Sequence, residues 1–362
     1  MFRLETTPID CFQQLTQGFN WTHVSVRKLN QANQNRTSPD HIRRQERHSA
    51  TETARISPRL KEARMVHRHV FHNDRLLPIE QVRLSPGQAG LLSGWGLFTT
   101  MRIAGGVPFA YERHWKRLEK DATRTHCPFP FDADKVRAQL YDVLQANKVQ
   151  EGTARIYAIY NQPGFWASEE KFPPADLVIY SAGLPAHKEP AKLSLREHGR
   201  HAASPLAGVK VTSWLNNVWN IYEAQQAGYD EVVLLNERGE VAECTAANLF
   251  CVRNGRVQTP PLNSGCLEGI TRSVLLEVGQ AAGVTVEEKT LKPEDLYAAE
   301  EVFISSTNRS LLGVGEIAGH KFKAPGPITT KLGQVFTNYI SDYVSKHSGD
   351  AARAASTSQN KG

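Results

Sequence analysis

From about residue 66 to 345, short runs of β-type apolar residues alternate with stretches whose apolar positions recur every three or four residues, the pattern of a mixed α and β protein. Residues 155–160 and 176–180 read as strands. Asp132 is placed to cap a helix carrying Val136, Leu140, Val143 and Leu144 on one face, because its carboxylate can take an unpaired amide of the first turn. Lys210 falls in a short extended segment leading into a helix from about Asn216, where Val218, Ile221, Tyr222 and Gln225 stand at helical spacing and Gly228 supplies a left-handed stop. Residues 231–235 form a further predicted strand, turning at Arg238-Gly239. Residues 249–252 and 256–259 flank Asn254-Gly255, two residues that tolerate the positive φ a tight hairpin turn needs. Leu332, Val335, Phe336, Tyr339, Ile340 and Tyr343 mark a closing amphipathic helix. No internal repeat is present.

The two ends break this pattern. Residues 1–64 are rich in Gln, Asn, Arg, Thr and Ser and show no apolar period, the composition of a disordered arm. They hold eleven Lys/Arg against six Asp/Glu, so five charges of the formal +6 sit there. The body is nearly neutral and lacks the clustered basic face of a nucleic-acid binder, although the pI is about 9.0. The six acids also argue against a transit peptide, which would be poor in them. Met65, where the patterned sequence begins, is expected to be the true start, and a native N-terminal mass beginning earlier would refute this. From residue 346 the composition again reads as a disordered tail, ending Ser-Thr-Ser-Gln-Asn-Lys-Gly.

A chain of 362 residues, 40% hydrophobic, can bury the cores of two domains, and the Pro- and charge-bearing residues 185–190 mark a candidate linker between them. No apolar run reaches the roughly 18 residues of a membrane span, and the N-terminus lacks the apolar stretch of a secretory signal. Cys11, Cys127, Cys244, Cys251 and Cys266 are odd in number and lack the paired spacing of a zinc site or a redox motif. The expectation is a cytoplasmic protein with free thiols, no metal, no nucleic-acid partner and no membrane partner.

Taken one at a time, the candidate chemical residues carry little. Lys210 is by default a solvated lysine, Glu243 a hairpin-edge charge and Arg117 an exposed helix arginine. Gly269-Ile270-Thr271-Arg272 opens a helical pattern, and a helix start with free amides and a hydroxyl is an anion site. Ser305-Ser306-Thr307 follows the apolar run Val302-Phe303-Ile304, where a loop can face a ligand. The glycine-punctuated segment Ser93-Gly94-Trp95-Gly96-Leu97-Phe98-Thr99-Thr100 offers a place for a substrate to approach the backbone closely.

Their order is informative. Gly-x-Gly-x-Phe-x-Thr at 94–100, His-x-x-Arg-Leu at 114–118, a lone Lys210 before Leu215-Asn216-Asn217, Glu-x-x-x-x-Asn-Leu-Phe at 243–250, Thr259-Pro260, Gly-Ile-Thr-Arg at 269–272 and Ser306-Thr307 together resemble the class IV aminotransferases. This family of fold-type IV pyridoxal-phosphate enzymes includes branched-chain aminotransferases, D-amino acid aminotransferases and aminodeoxychorismate lyases. The resemblance runs from about residue 66 to 345 and implies an α+β fold. Residues 65–185 would be a small α/β domain and 186–345 a larger domain with a pseudo-barrel sheet, the cofactor lying between them in a homodimer. It also implies that Lys210 bonds covalently to pyridoxal 5'-phosphate and shuttles a proton, while Glu243 keeps the pyridine nitrogen protonated. Arg117, Ile270, Thr271, Ser306 and Thr307 match the phosphate cup. Phe98, Arg155 and Asn308 match substrate contacts, and Arg309 is either a carboxylate ligand or solvent-facing.

Departures from the family pattern stand out: Trp214 where branched-chain enzymes carry a tyrosine, Trp95 and Thr99 in place of two acids, and Tyr160-Asn161 near the place of a Thr-Arg-Gly that often follows the second strand. The activity expected first is amino-group transfer between an amino acid, with branched-chain donors as one candidate class, and a 2-oxo acid such as 2-oxoglutarate. The alternative is 4-amino-4-deoxychorismate lyase, giving 4-aminobenzoate and pyruvate. A third reading, a binding protein that keeps the fold without catalysis, gives no reason to retain both Lys210 and Glu243.

Overall fold

Residues 66–161 and 171–350 are described by a computed structural model. All of the described residues fall within one compact unit, Ile56–Gly362. The expectations for the basic arm, for a start at Met65 and for residues 351–362 lie outside the described residues.

Six strands make the first sheet: β1 (His69–His72), β2 (Arg75–Pro78), β3 (Gly96–Ala104), β4 (Val107–Pro108), β5 (Gly152–Tyr160) and β6 (Ala175–Ala182). They pair antiparallel in the order β2-β1-β6-β5-β3-β4. Three helices lie along this part of the chain, α1 (Ala89–Ser93), α2 (Tyr111–Thr125) and α3 (Ala133–Ala146). As expected, Asp132 caps α3, its carboxylate accepting Lys135 N–H at 2.8 Å. The two-residue period of the strands divides their duties. Leu97, Met101 and Ile103 of β3 and Ile156 of β5 join the core with Leu118 of α2 and Leu140 of α3. The alternate residues Phe98, Thr100 and Arg155 are left to line a cavity on the other face.

The second sheet comprises β7 (Ala191–Arg196), β8 (Glu231–Leu235), β9 (Val241–Cys244), β10 (Asn248–Arg253), β11 (Arg256–Thr259), β12 (Val286–Glu288), β13 (Glu301–Ser306), β14 (Ser310–Ile317) and β15 (His320–Lys321). Its order is β12-β11-β10-β13-β14-β7-β8-β9, with β15 paired to β14. The pairs β11–β12, β14–β7 and β7–β8 are parallel. The sheet curls until the end of β9 meets the start of β10, where Cys244 N–H donates to Ala247 O at 2.8 Å, and the result is a half-barrel. Both faces of its central strands are buried: Leu249 and Ile304 point into one core, and Phe250 and Phe303 into another. That second core is completed by α5 (Ile270–Val278) and α7 (Pro327–His347). Asn254 and Gly255 turn the predicted hairpin with φ of 50° and 70°, and α7 runs to His347, two residues into the stretch read as tail. The remaining helices are α4 (Leu215–Gln226) and α6 (Pro293–Tyr297).

One helix face is set by tertiary contacts, and one sequence expectation, for the glycines of 94–96, needs correction. In α4 the apolar positions mark a helix but face outward: Val218 and Tyr222 are exposed while Asn217, Asn220 and Ala224 are buried. The reason is that Asn217 and Asn220 accept from Arg200 and Arg196 beneath them, so the polar face is the anchored one. The glycines of 94–96 make room for protein rather than substrate. A Cβ at Gly94 would come within 2.9 Å of the Ser213 backbone, and one at Gly96 within 2.8 Å of Ala158 O and 2.9 Å of Thr212 Oγ1.

Phe250 and Phe303 stack at 4.8 Å between ring centroids and are fully buried. Phe250→Ala is expected to cost about 3–5 kcal/mol of folding stability, measured by urea denaturation, whereas Val218→Ala on the outward face of α4 should cost far less.

Candidate active site

Lys210 comes from the second half of the chain but is fastened to the first sheet. Phe98 N–H donates to Lys210 O at 3.1 Å, Val211 bridges Leu97, and Thr212 N–H donates to Gly96 O at 2.9 Å. The lysine side chain enters a cavity of about 790 Å³, with Nζ 4.5 Å from the centre of the Phe98 ring. Phe98 stacks on Tyr157 at 5.2 Å and meets Trp214 edge-on at 6.4 Å. Burial, then the positive charges of Arg117 and Arg155, push the lysine pKa down to about 7, against the opposing pull of Glu243 and Asp121. At neutral pH about half of such amines are uncharged and able to act as nucleophile or base.

The other residues expected from the sequence line the same cavity: Arg117, Arg155 and Glu243, then Ile270, Thr271, Ser306, Thr307 and Asn308. Glu243 is held at both oxygens, Oε1 accepting from Arg200 Nε at 2.9 Å and Oε2 from Leu267 N–H at 3.0 Å. Arg200 is itself fixed by Asn217 Oδ1 at 2.8 Å. Arg117 donates to Glu268 O at 2.9 Å and to Thr99 Oγ1 at 3.0 Å, and burial lowers its pKa. Thr99 Oγ1 lies 2.6 Å from His114 Nδ1. Burial first, then Arg117 and Lys210, hold that histidine well below its ordinary pKa and therefore neutral.

Gly269 starts α5 and no side chain caps the helix, so its first amides, at Ile270 and Thr271, are presented to the cavity. Ser306 Oγ accepts Arg309 N–H at 3.3 Å, which leaves its proton free to donate. Thr307 differs, because its hydroxyl donates to Thr100 O at 3.0 Å. Arg155 donates to Tyr157 OH at 3.1 Å. Arg309 does not point into open solvent: it pairs with buried Glu231 at 2.9 Å and donates to Ala246 O at 3.1 Å, so its charge is already matched.

Sequence reasoning did not single out Arg200, Asn217, Asp121 or His114 as site residues. Arg200 lies in the unpatterned stretch after β7, and nothing in its neighbours signals a role. Asn217 was visible only as part of the Leu-Asn-Asn motif. Asp121 and His114 are polar residues on an amphipathic helix, where the sequence alone does not show that they are 2% exposed.

The sequence model of the family described as amino-transferase class IV matches residues 96–317. A putative branched-chain-amino-acid aminotransferase of Methanocaldococcus jannaschii is 28% identical over 274 residues, covering 74% of this chain and 94% of that protein. The aminodeoxychorismate lyase of Bacillus subtilis is 26% identical over 296 residues, covering 79% of this chain and 99% of that protein. The crystal structure of a branched-chain aminotransferase from Thermoproteus uzoniensis with norvaline superposes with a TM-score of 0.71 at 27% identity, covering 77% and 97% of the two chains. The chain belongs to the class IV amino-transferase family.

The family implies pyridoxal phosphate, and the residues present fit it. Ser305 Oγ and Asn308 Oδ1 are buried polar atoms without a hydrogen-bond partner, and both residues line the cavity. An uncapped helix start and the Arg117 guanidinium answer a phosphate dianion, and a near-neutral amine answers an aldehyde.

With the cofactor removed, Lys210 is expected to be carbamoylated by cyanate with a half-maximal rate near pH 7, where its amine is half deprotonated. Arg117→Met should move that midpoint upward, because it removes a positive charge that disfavours the ammonium form. Peptide mass spectrometry across a pH series measures both.

Proposed function

We propose that this class IV enzyme transfers an amino group between a small amino acid, of the branched-chain class, and a 2-oxo acid such as 2-oxoglutarate, with pyridoxal 5'-phosphate held at Lys210. The observation that carries the reading is the shared cavity, in which a near-neutral Lys210 amine sits among a fixed carboxylate, an uncapped helix start and an arginine. In this reading Arg117, the Ile270 and Thr271 amides, Ser306 and Thr307 hold the phosphate, and Glu243 meets the ring nitrogen. When bound, pyridoxal phosphate supplies an aldehyde and a ring that accepts the electron pair left by loss of the substrate α-proton.

Lys210 does the proton work. Its neutral Nζ would take the proton from the substrate α-carbon and hold it as an ammonium, in a site whose burial favours giving it up again. Arg200 and Leu267 N–H each hold one oxygen of Glu243 and so fix the orientation of its carboxylate. Phe98, held by stacking on Tyr157, presents an apolar face to the cavity suited to an aliphatic side chain. Arg155 hydrogen-bonds to tyrosine hydroxyl rather than to a carboxylate, and we read it as the contact for a substrate carboxylate, with Asn308 as a second polar contact.

The aminodeoxychorismate lyase is kept as a second reading on a specific observation: Trp214 lines the cavity where branched-chain enzymes carry a tyrosine. An indole cannot accept a proton there, so the amine must be tuned by Arg117, Arg155 and burial instead. For assembly, the outward stripe of α4, Leu215, Val218, Trp219 and Tyr222, between 47% and 78% exposed, directly follows cavity-lining Trp214 and suits a second copy of the chain, giving a homodimer. Trp219→Glu is then expected to shift the sedimenting species toward the monomer, with wild type already monomeric as the contrary result.

Purified enzyme should show a visible cofactor band that is absent in Lys210→Ala, and the variant's turnover should fall on the order of a hundred- to ten-thousand-fold. A branched-chain amino acid that bleaches the band, with colour restored by 2-oxoglutarate, supports the transaminase. A band untouched by amino acids, with pyruvate released from 4-amino-4-deoxychorismate, puts the lyase first. Arg155→Met should raise KM for the 2-oxo acid about 10- to 100-fold, the loss of one charge-assisted contact.

A further inference from the structure

Both main-chain polar groups of Lys210 are held, but by different means. Its carbonyl accepts a strand amide, Phe98 N–H, whereas its own N–H donates to Asp121 Oδ2 at 3.2 Å. Asp121 lies on α2 one turn beyond Arg117, and is 2% exposed. Burial pushes its pKa up, against the pull of the Lys210 amide and of Arg117, Arg124 and Lys120. A single main-chain amide is a poor match for the lost hydration of a carboxylate, so the placement calls for a further role.

The next turn of α2 shows what the helix is doing. Arg124 donates to both Pro205 O and Ala207 O at 2.9 Å. The chain then passes Gly208, at φ +71°, where a Cβ would come 2.8 Å from Cys266 O, and reaches the lysine. Arg124 and Asp121 therefore splint residues 205–210 along α2, and the last point of the splint is the amide of the lysine itself. The groups facing the ε-amine are Arg117 and His114 of α2, Arg155 of β5 and Glu243 of β9, together with Asp121. The arginines disfavour the ammonium, His114 is neutral, and the two carboxylates oppose the arginines.

We propose that Asp121 is a positioning residue for Lys210: its carboxylate fixes the main-chain orientation from which the lysine side chain enters the cavity, and sets a negative charge against the arginines around the ε-amine. This deepens the reading of Lys210 as the cofactor lysine and rests on it. Asp121→Asn keeps an oxygen for the Lys210 amide and loses the charge, whereas Asp121→Ala loses both.

The test uses the cofactor-loaded enzyme: pH titration of the visible band, and kcat and KM for the amino-acid half-reaction. Removing a nearby negative charge destabilises the protonated lysine nitrogen, so the titration midpoint is expected about 0.5–1 pH unit lower in both variants. Asp121→Ala should also lose kcat on the order of 10- to 100-fold from misplacement of the amine, with KM little changed, and Asp121→Asn should restore most of it. An unmoved midpoint in Asp121→Asn overturns the proposal, as does a kcat in Asp121→Ala equal to wild type. Should Asp121→Ala fail to fold, the Asp121→Asn titration decides alone. A wild-type band that survives in Lys210→Ala would instead refute the functional reading beneath it.

Discussion

The fold depends on one seam, the short antiparallel join between residues 210–212 and β3. Without it the lysine would belong wholly to the second half of the chain, remote from Phe98, Arg117 and Arg155, which all come from the first. The seam explains the glycines at 94 and 96: side chains there would strike Ser213, Thr212 and Ala158, and prevent the two stretches of backbone from meeting. It also fixes which face the lysine takes. On β3, residues 97, 99 and 101 turn toward the helices and 98 and 100 toward the cavity, so a partner held by main-chain bonds on both sides of position 97 cannot slip by one residue without reversing the pattern.

A second constraint is electrostatic. The cavity collects Arg117, Arg155, Arg200, Arg309 and Lys210 on its walls, and this concentration of positive charge is tolerable because it is unequally matched. Arg200 is paired with Glu243 and Arg309 with Glu231, both in direct contact. Arg117 and Arg155 instead lean on neutral oxygens, those of Glu268 main chain, Thr99 and Tyr157. Burial depresses the lysine most, the unmatched pair adds to it, and the same pair remains available to anions. Binding an anion at Arg117 would relieve part of the field on Lys210, so occupancy and amine basicity are linked.

The order of motifs made much of this legible. A lysine, a glutamate, a Gly-Ile-Thr-Arg helix start and a Ser-Thr pair carry little singly, yet their order along the chain pointed to candidate site residues, and all of these line one cavity. Local signals also told true where the physics is local: Asp132 as a cap, and Asn254-Gly255 as a turn. What stayed hidden was whatever tertiary packing decides. The apolar period of α4 marked a helix, but its inward face was chosen by Asn217 and Asn220 meeting Arg200 and Arg196. Arg200 and Asp121 sit in stretches whose composition says only polar and exposed. Arg309 was ambiguous for the same reason, since Glu231 lies 78 residues away in sequence.

Two of the residues that depart from the family pattern, Thr99 and Trp214, stand beside these same groups. Thr99, standing where an acid is common, puts a neutral hydroxyl between Arg117 and His114. A carboxylate there would have spent the arginine's charge within the protein and drawn a proton onto the histidine; a hydroxyl does neither. Arg117 is thereby left unpaired by any acid at hydrogen-bond range, His114 stays neutral, and no carboxylate at position 99 weakens the arginine's field at Lys210. Trp214 on the cavity wall removes a phenol that could otherwise tune the amine. The two substitutions thus act together: one strengthens the field that lowers the lysine's basicity, and the other removes an alternative means of setting it, leaving burial, the arginines and the opposing carboxylates of Glu243 and Asp121 to determine the charge state of the amine.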